Sequence, residues 1–100
     1  MRTFLLLSIL SGQGMQTIAA VPERLLEVNR EIEALGGRVV DQWALLGAYD
    51  FLSIVEATDE FAMATITAEL GARGSVQFET LPALTLDELA DAMKGRPEAP

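Results

Sequence analysis

The run TFLLLSIL, Thr3 to Leu10, is mostly apolar and of strand length. Phe4 and Leu6 point to one side of such a strand, and Leu5, Leu7 and Ile9 to the other. Apolar residues on both sides predict a strand covered on both faces. SGQG then turns the chain. Val21, Leu25, Val28, Ile32 and Leu35 follow at alternating steps of four and three, the spacing of one apolar helix face. Pro22 suits a first turn, so Gln13 to Ala20 is expected to be a preceding helical turn or two, kinked at the proline. Gly36-Gly37 closes the helix.

RVVDQWALL, Arg38 to Leu46, and DFLSIVE, Asp50 to Glu56, read as the second and third strands, joined by a short hairpin turn at Gly47-Ala48. Thr58-Asp59 offers a cap for a second helix reaching about Leu70. SVQFETL, Ser75 to Leu81, alternates: Val76 and Phe78 face a core, and Gln77 and Glu79 face outward, as in an edge strand. TLDE, Thr85 to Glu88, is a capping box opening a short last helix.

The order is βαββαβ plus a C-terminal helix. It predicts an α+β, ferredoxin-like fold with an antiparallel four-stranded sheet of order 4-1-3-2 and both helices on one face. Residues 1–94 form one domain in this reading, and 95–100 a flexible tail. Strands one and three are central in that order, and they are also the strands apolar on both faces. Helices cover only one face. A second copy of the same sheet is the simplest cover for the other, so a homodimer or higher homo-oligomer through the open sheet face is expected.

Composition narrows the chemistry. Half of the 100 residues are hydrophobic, and the net charge is −8. Seven basic residues against fifteen acidic ones argue against direct nucleic-acid binding, which depends on neutralising phosphates, and against an anionic membrane surface. The chain has no Cys and no His. Disulfides, thiol nucleophiles, histidine-ligated metals and haem, and Ser-His-Asp triads are therefore excluded. No metal and no cofactor is expected. MRTFLLLSIL with Ala19-Ala20 has the outline of a weak signal peptide, but its removal would delete a strand that the pattern needs. A cytoplasmic protein is the expectation.

Several segments together resemble the GYD domain family, named for a Gly-Tyr-Asp signature, within the dimeric α/β-barrel superfamily. They are Gln13-Gly14, Pro22-Glu23-Arg24, Ala34 to Gly37, the signature Gly47, Tyr49 and Asp50 with Val55 to Ala57, and Glu79-Thr80-Leu81. The resemblance runs from about Leu7 to Met93. It departs from the family pattern at Ala48, Gln77-Phe78 and Pro82, where basic residues are common, and this weighs against anion recognition. A related hairpin occurs in the ligand-binding domains of feast/famine (Lrp/AsnC-type) regulators. The resemblance implies an effector-type pocket and no assigned reaction.

Five residues stand as candidates for binding a small-molecule ligand. Asp50 could hold an amine or water with Tyr49 as hydrogen-bond partner; equally, an Asp in a turn often accepts backbone N–H bonds and a Tyr often packs its ring. Gln13 lies in a strand-to-helix loop that could present N–H groups or simply turn. Trp43, beside Asp41 on one strand face, could line an aromatic pocket or belong to a core or dimer interface. Glu79 could face a cleft or stand in solvent. The leading expectation is a non-enzymatic ligand-binding or assembly module. The alternative is a small cofactor-independent oxygenase or isomerase with a cleft between sheet and helices.

Overall fold

The computed structural model describes residues 1–95. In chain order it contains β1 (Arg2–Leu10), α1 (Gly12–Ala20), α2 (Arg24–Ala34), β2 (Arg38–Ala44), β3 (Phe51–Ala57), α3 (Glu60–Gly71), β4 (Val76–Ala83) and α4 (Leu86–Lys94). The sheet order is β2-β3-β1-β4 and every neighbouring pair is antiparallel. This is the expected 4-1-3-2 order, with the two apolar strands at its centre.

Alternation along the central strands divides the sheet into two faces. Phe4, Leu6, Val55 and Ala57 are buried and meet Ile32 of α2 and Met63, Ile66 and Leu70 of α3. These residues form the core. Fully burying each large apolar side chain is worth roughly 1.5–3 kcal/mol, so the helix-covered face carries most of the stability. Leu5, Leu7, Leu52 and Ile54 alternate with them and are only half buried. Ile9 and Leu81 on the same face are about two-fifths exposed, and Trp43 is about half exposed.

The helices differ from expectation in their boundaries. Gly12–Ala20 is a complete helix, capped by the Ser11 hydroxyl accepting from the Gly14 N–H. It is separate from α2, which starts at Arg24 after a turn through Pro22-Glu23. Of the apolar stripe, Ile32 is buried and Leu25 and Val28 half-buried, while Val21 and Leu35 lie beyond the helix ends and are about two-fifths exposed. The Asp59 carboxylate caps α3 by accepting from the Ala62 N–H.

β2 ends two residues earlier than the apolar run suggested, and the β2–β3 connection spans residues 45–50. Gly47 supplies the expected positive φ there, at 128°. The loop is closed by the Leu45 N–H donating to the Asp50 carbonyl. β2 also contains a bulge between Val39 and Asp41.

The capping box of α4 is present in both halves: the Thr85 hydroxyl accepts from the Glu88 N–H, and the Glu88 carboxylate accepts from the Thr85 N–H. That backbone N–H bond, with the Thr85 hydroxyl second, holds the Glu88 carboxyl below its usual range. No residue of α4 is buried. The molecule is 60 Å long against 29 and 20 Å across. Of the expected tail, 96–100 lies outside the described residues.

Candidate functional site

The C-terminal ends of β1 and β2 and the N-terminal ends of β3 and β4 meet at one end of the sheet, as the antiparallel pairing requires. The 45–50 loop and the start of α1 therefore lie together. At this end Asp50 is held twice. Its N–H donates to the Ser8 carbonyl at 2.8 Å, and its carboxylate accepts from the Leu10 N–H at 2.8 Å. The side chain thus continues the β1–β3 ladder past its last pair, Ser8 with Phe51. Asp50 ties the loop to β1.

Tyr49 turns the other way. Its hydroxyl donates to the Glu79 carboxylate on β4. Accepting that hydrogen bond, and its negative charge, let Glu79 push the Tyr49 phenol above its ordinary range. A folded-state pKa raised above the unfolded value means that the bond supports the fold below the ordinary tyrosine pKa, about 10. Its contribution disappears as pH rises through the higher folded value. Tyr49 is the single tyrosine, so absorbance at the phenolate band should titrate later than in a Glu79→Gln variant. Identical titrations would remove the tie.

Trp43, Leu52, Leu7 and Glu79 are consecutive partners across all four strands. Trp43 and Glu79 therefore stand at opposite ends of one row, ~14 Å apart at ordinary strand spacing. The structure joins Tyr49 to Glu79 and leaves Trp43 at the far end of that row on edge strand β2, where it also borders the cavity on the helix side. Gln13 is exposed on α1; its carbonyl accepts from the Thr17 hydroxyl. The five candidates do not converge on one pocket. Three of them mark the open sheet face, Asp50 closes the loop at the sheet end, and Gln13 sits on the first turn of α1.

A cavity of about 460 Å3 lies on the opposite face, between the sheet and the α1–α2 layer. Leu6, Ser8, Phe51 and Phe78 line it from the strands, and Leu25 and Val28 from α2. Ser8 and Ser53 are buried, at 6% and 2% exposure. The Ser53 hydroxyl accepts from the Gln42 amide at 2.8 Å, and Gln42 and Asn29 exchange hydrogen bonds at 2.9 and 3.1 Å. The sequence signal for this polar chain was a serine inside each of two otherwise apolar strands. Among the described residues, no cluster of three or more carboxylates is arranged to hold a metal ion, and no helix is long and apolar enough to cross a membrane.

The GYD domain model matches residues 4–93 of this sequence. The chain belongs to the GYD domain family. It is similar, at 44% identity over 95 residues, to the "Glutamine synthetase and cystathionine beta-lyase binding protein" of Thermus thermophilus. That match covers 94% of this chain and all of the relative. Among solved structures it resembles FFRP-DM1, with a TM-score of 0.52 at 20% identity, over 84% of this GYD protein and all of that chain. At that identity the likeness concerns the fold, and it fits the ferredoxin-like arrangement.

Proposed function

We propose that this GYD protein is a protein-binding assembly module that works as a homodimer and docks onto metabolic enzymes of the glutamine synthetase and cystathionine β-lyase type. The observation that carries this reading is the full-length similarity to a relative named for binding those two enzymes. The residue inventory agrees with it: without His or Cys, the chain has limited means for acid–base or nucleophilic chemistry near neutral pH.

The open sheet face supports self-association. Leu5, Leu7, Ile9, Trp43, Leu52 and Ile54 share one side of the sheet, and among the described residues no helix covers that side. Four strands of about seven residues give a footprint of roughly 450 Å2. A stable interface needs about 800 Å2 per partner. The remainder is available on Leu84 and on α4, where Leu86 is 83%, Leu89 47% and Met93 52% exposed. A second copy offers the same two apolar surfaces to this one, which satisfies two-fold symmetry.

The test is direct. Purified full-length protein, immobilised, should bind glutamine synthetase or cystathionine β-lyase from the same organism saturably, in competition with free protein. Absence of binding to both enzymes up to the solubility limit would remove the reading.

A further inference from the structure

The cavity on the helix side is separate from the open face that supports self-association. Its walls are largely apolar, yet its floor holds Ser8, which is 6% exposed. Among the described residues no fully enclosed side-chain oxygen lacks a partner; Ser53 is satisfied by Gln42, and the Ser8 hydroxyl, which takes part in no such bond, opens to the cavity. An accessible hydroxyl can exchange a hydrogen bond with a bound molecule, and this one lines a space large enough for a small molecule. Pockets for such ligands run roughly 300–1,000 Å3, and this one is about 460 Å3.

The charges beside the cavity decide the ligand's own charge. Arg24 is paired with Glu27 at 3.1 Å, and Arg73 with Glu31. All four residues line the cavity. Both cations are thus neutralised by α2 carboxylates, and no unpaired cation among the lining residues awaits an anionic head. The chain's net charge of −8 repels anions further.

We propose that this cavity binds a small uncharged amphiphile, with an apolar body against Leu6, Leu25, Val28 and Phe78 and one hydroxyl or carbonyl head that exchanges a hydrogen bond with Ser8 Oγ. The apolar walls supply affinity by area, and Ser8 sets the orientation.

The experiment uses the full chain and two probes of equal length, 1-octanol and octanoate. Backbone amide NMR shifts are followed on titration. Saturable shifts with 1-octanol should centre on Ser8, Leu10, Gly14 and Ser75. Octanoate should bind at least tenfold more weakly, because its carboxylate would lose water without meeting an unpaired cation among the lining residues. Ser8→Ala should weaken 1-octanol roughly fivefold, the share of one neutral hydrogen bond, while the apo spectrum keeps its fold. Ser8→Leu should abolish binding by filling the floor; if that variant fails to fold, Ser8→Ala decides. The proposal is overturned if neither probe saturates, if octanoate binds as well as 1-octanol, or if Ser8→Ala leaves the 1-octanol affinity unchanged.

Discussion

Gly14→Ala should lower the melting temperature by ~12–24 °C, the equivalent of about 3 kcal/mol in a domain of this size. Gly14 is buried on the first turn of α1. A Cβ there would fall inside van der Waals contact of the Ser75 carbonyl oxygen, with the Ser75 carbonyl carbon at 3.1 Å. Neither atom belongs to a movable side chain. The same carbonyl accepts from the Ser11 N–H at 3.0 Å, so α1 cannot back away without breaking the bond that fixes its start. Backbone pressed against backbone leaves no rotamer to absorb the clash. Gly12 supplies the internal control, because nothing lies within 4 Å of a Cβ at that position. Gly12→Ala, at the first residue of the same helix, should be neutral or raise stability by about 0.5–1 kcal/mol. Thermal melts at one fixed protein concentration compare the two. A Gly14→Ala melt within a few degrees of the parent would mean that α1 and β4 approach less closely than described.

This glycine also shows where the sequence stops being informative. SGQG was legible as a turn between strand and helix, because Gly and Ser are turn and cap formers. That Gly14 must lack a Cβ was not legible, since the obstacle is the backbone at Ser75, brought alongside only when β4 pairs with β1. The strands were read well for a local reason: TFLLLSIL and DFLSIV carry their two-sided apolar pattern within one segment, and only central strands of a layered sheet require it. Leu45-Leu46 misled by the same logic. They extend an apolar run, yet Leu46 is fully exposed in the loop. The chain leaves the sheet there because Gly47 takes a positive φ and Asp50 is bound to β1.

The candidate site divides along the same line. Asp50 in its turn was foreseeable as an acceptor of backbone N–H groups, and it accepts one from Leu10. The Tyr49–Glu79 bond was not foreseeable, because it joins the loop to the far edge strand across β1. Placing Tyr49 and Glu79 on the open face moves the weight of these two residues from a closed pocket to a surface, while Trp43 at the sheet edge also borders the helix-side cavity. Ser8, on the other side of the sheet, lines the cavity together with Ser53 and Gln42. Two different faces back to back on one four-stranded sheet follow from the alternation of side chains in β1: Leu5 and Leu7 lie on the open one, Leu6 and Ser8 on the one that borders the cavity.

Lysine at both Leu52 and Ile54 should convert the protein to a monomer. The two residues lie on β3 at the centre of the open face, opposite Leu7 and Leu5. In a two-fold interface each substitution occurs twice, so four ammonium groups would enter an apolar contact without partners. A single unpaired charge buried at an interface costs roughly 2–5 kcal/mol. Even the lower end, taken twice, weakens the dimer by about 10^3-fold. The fold itself should survive, because both side chains point away from Phe4, Val55, Met63 and Ile66. Sedimentation should give the parent twice the protomer mass of 10.8 kDa and the double variant that mass alone. Trp43, the single tryptophan, gives an independent signal on the rim of the same face. Its emission should shift to the red when the parent is diluted, and should not depend on concentration in the variant. A parent that sediments as one protomer at micromolar concentration, or a double variant that still pairs, would mean that the apolar side of this sheet is covered by something other than its own copy.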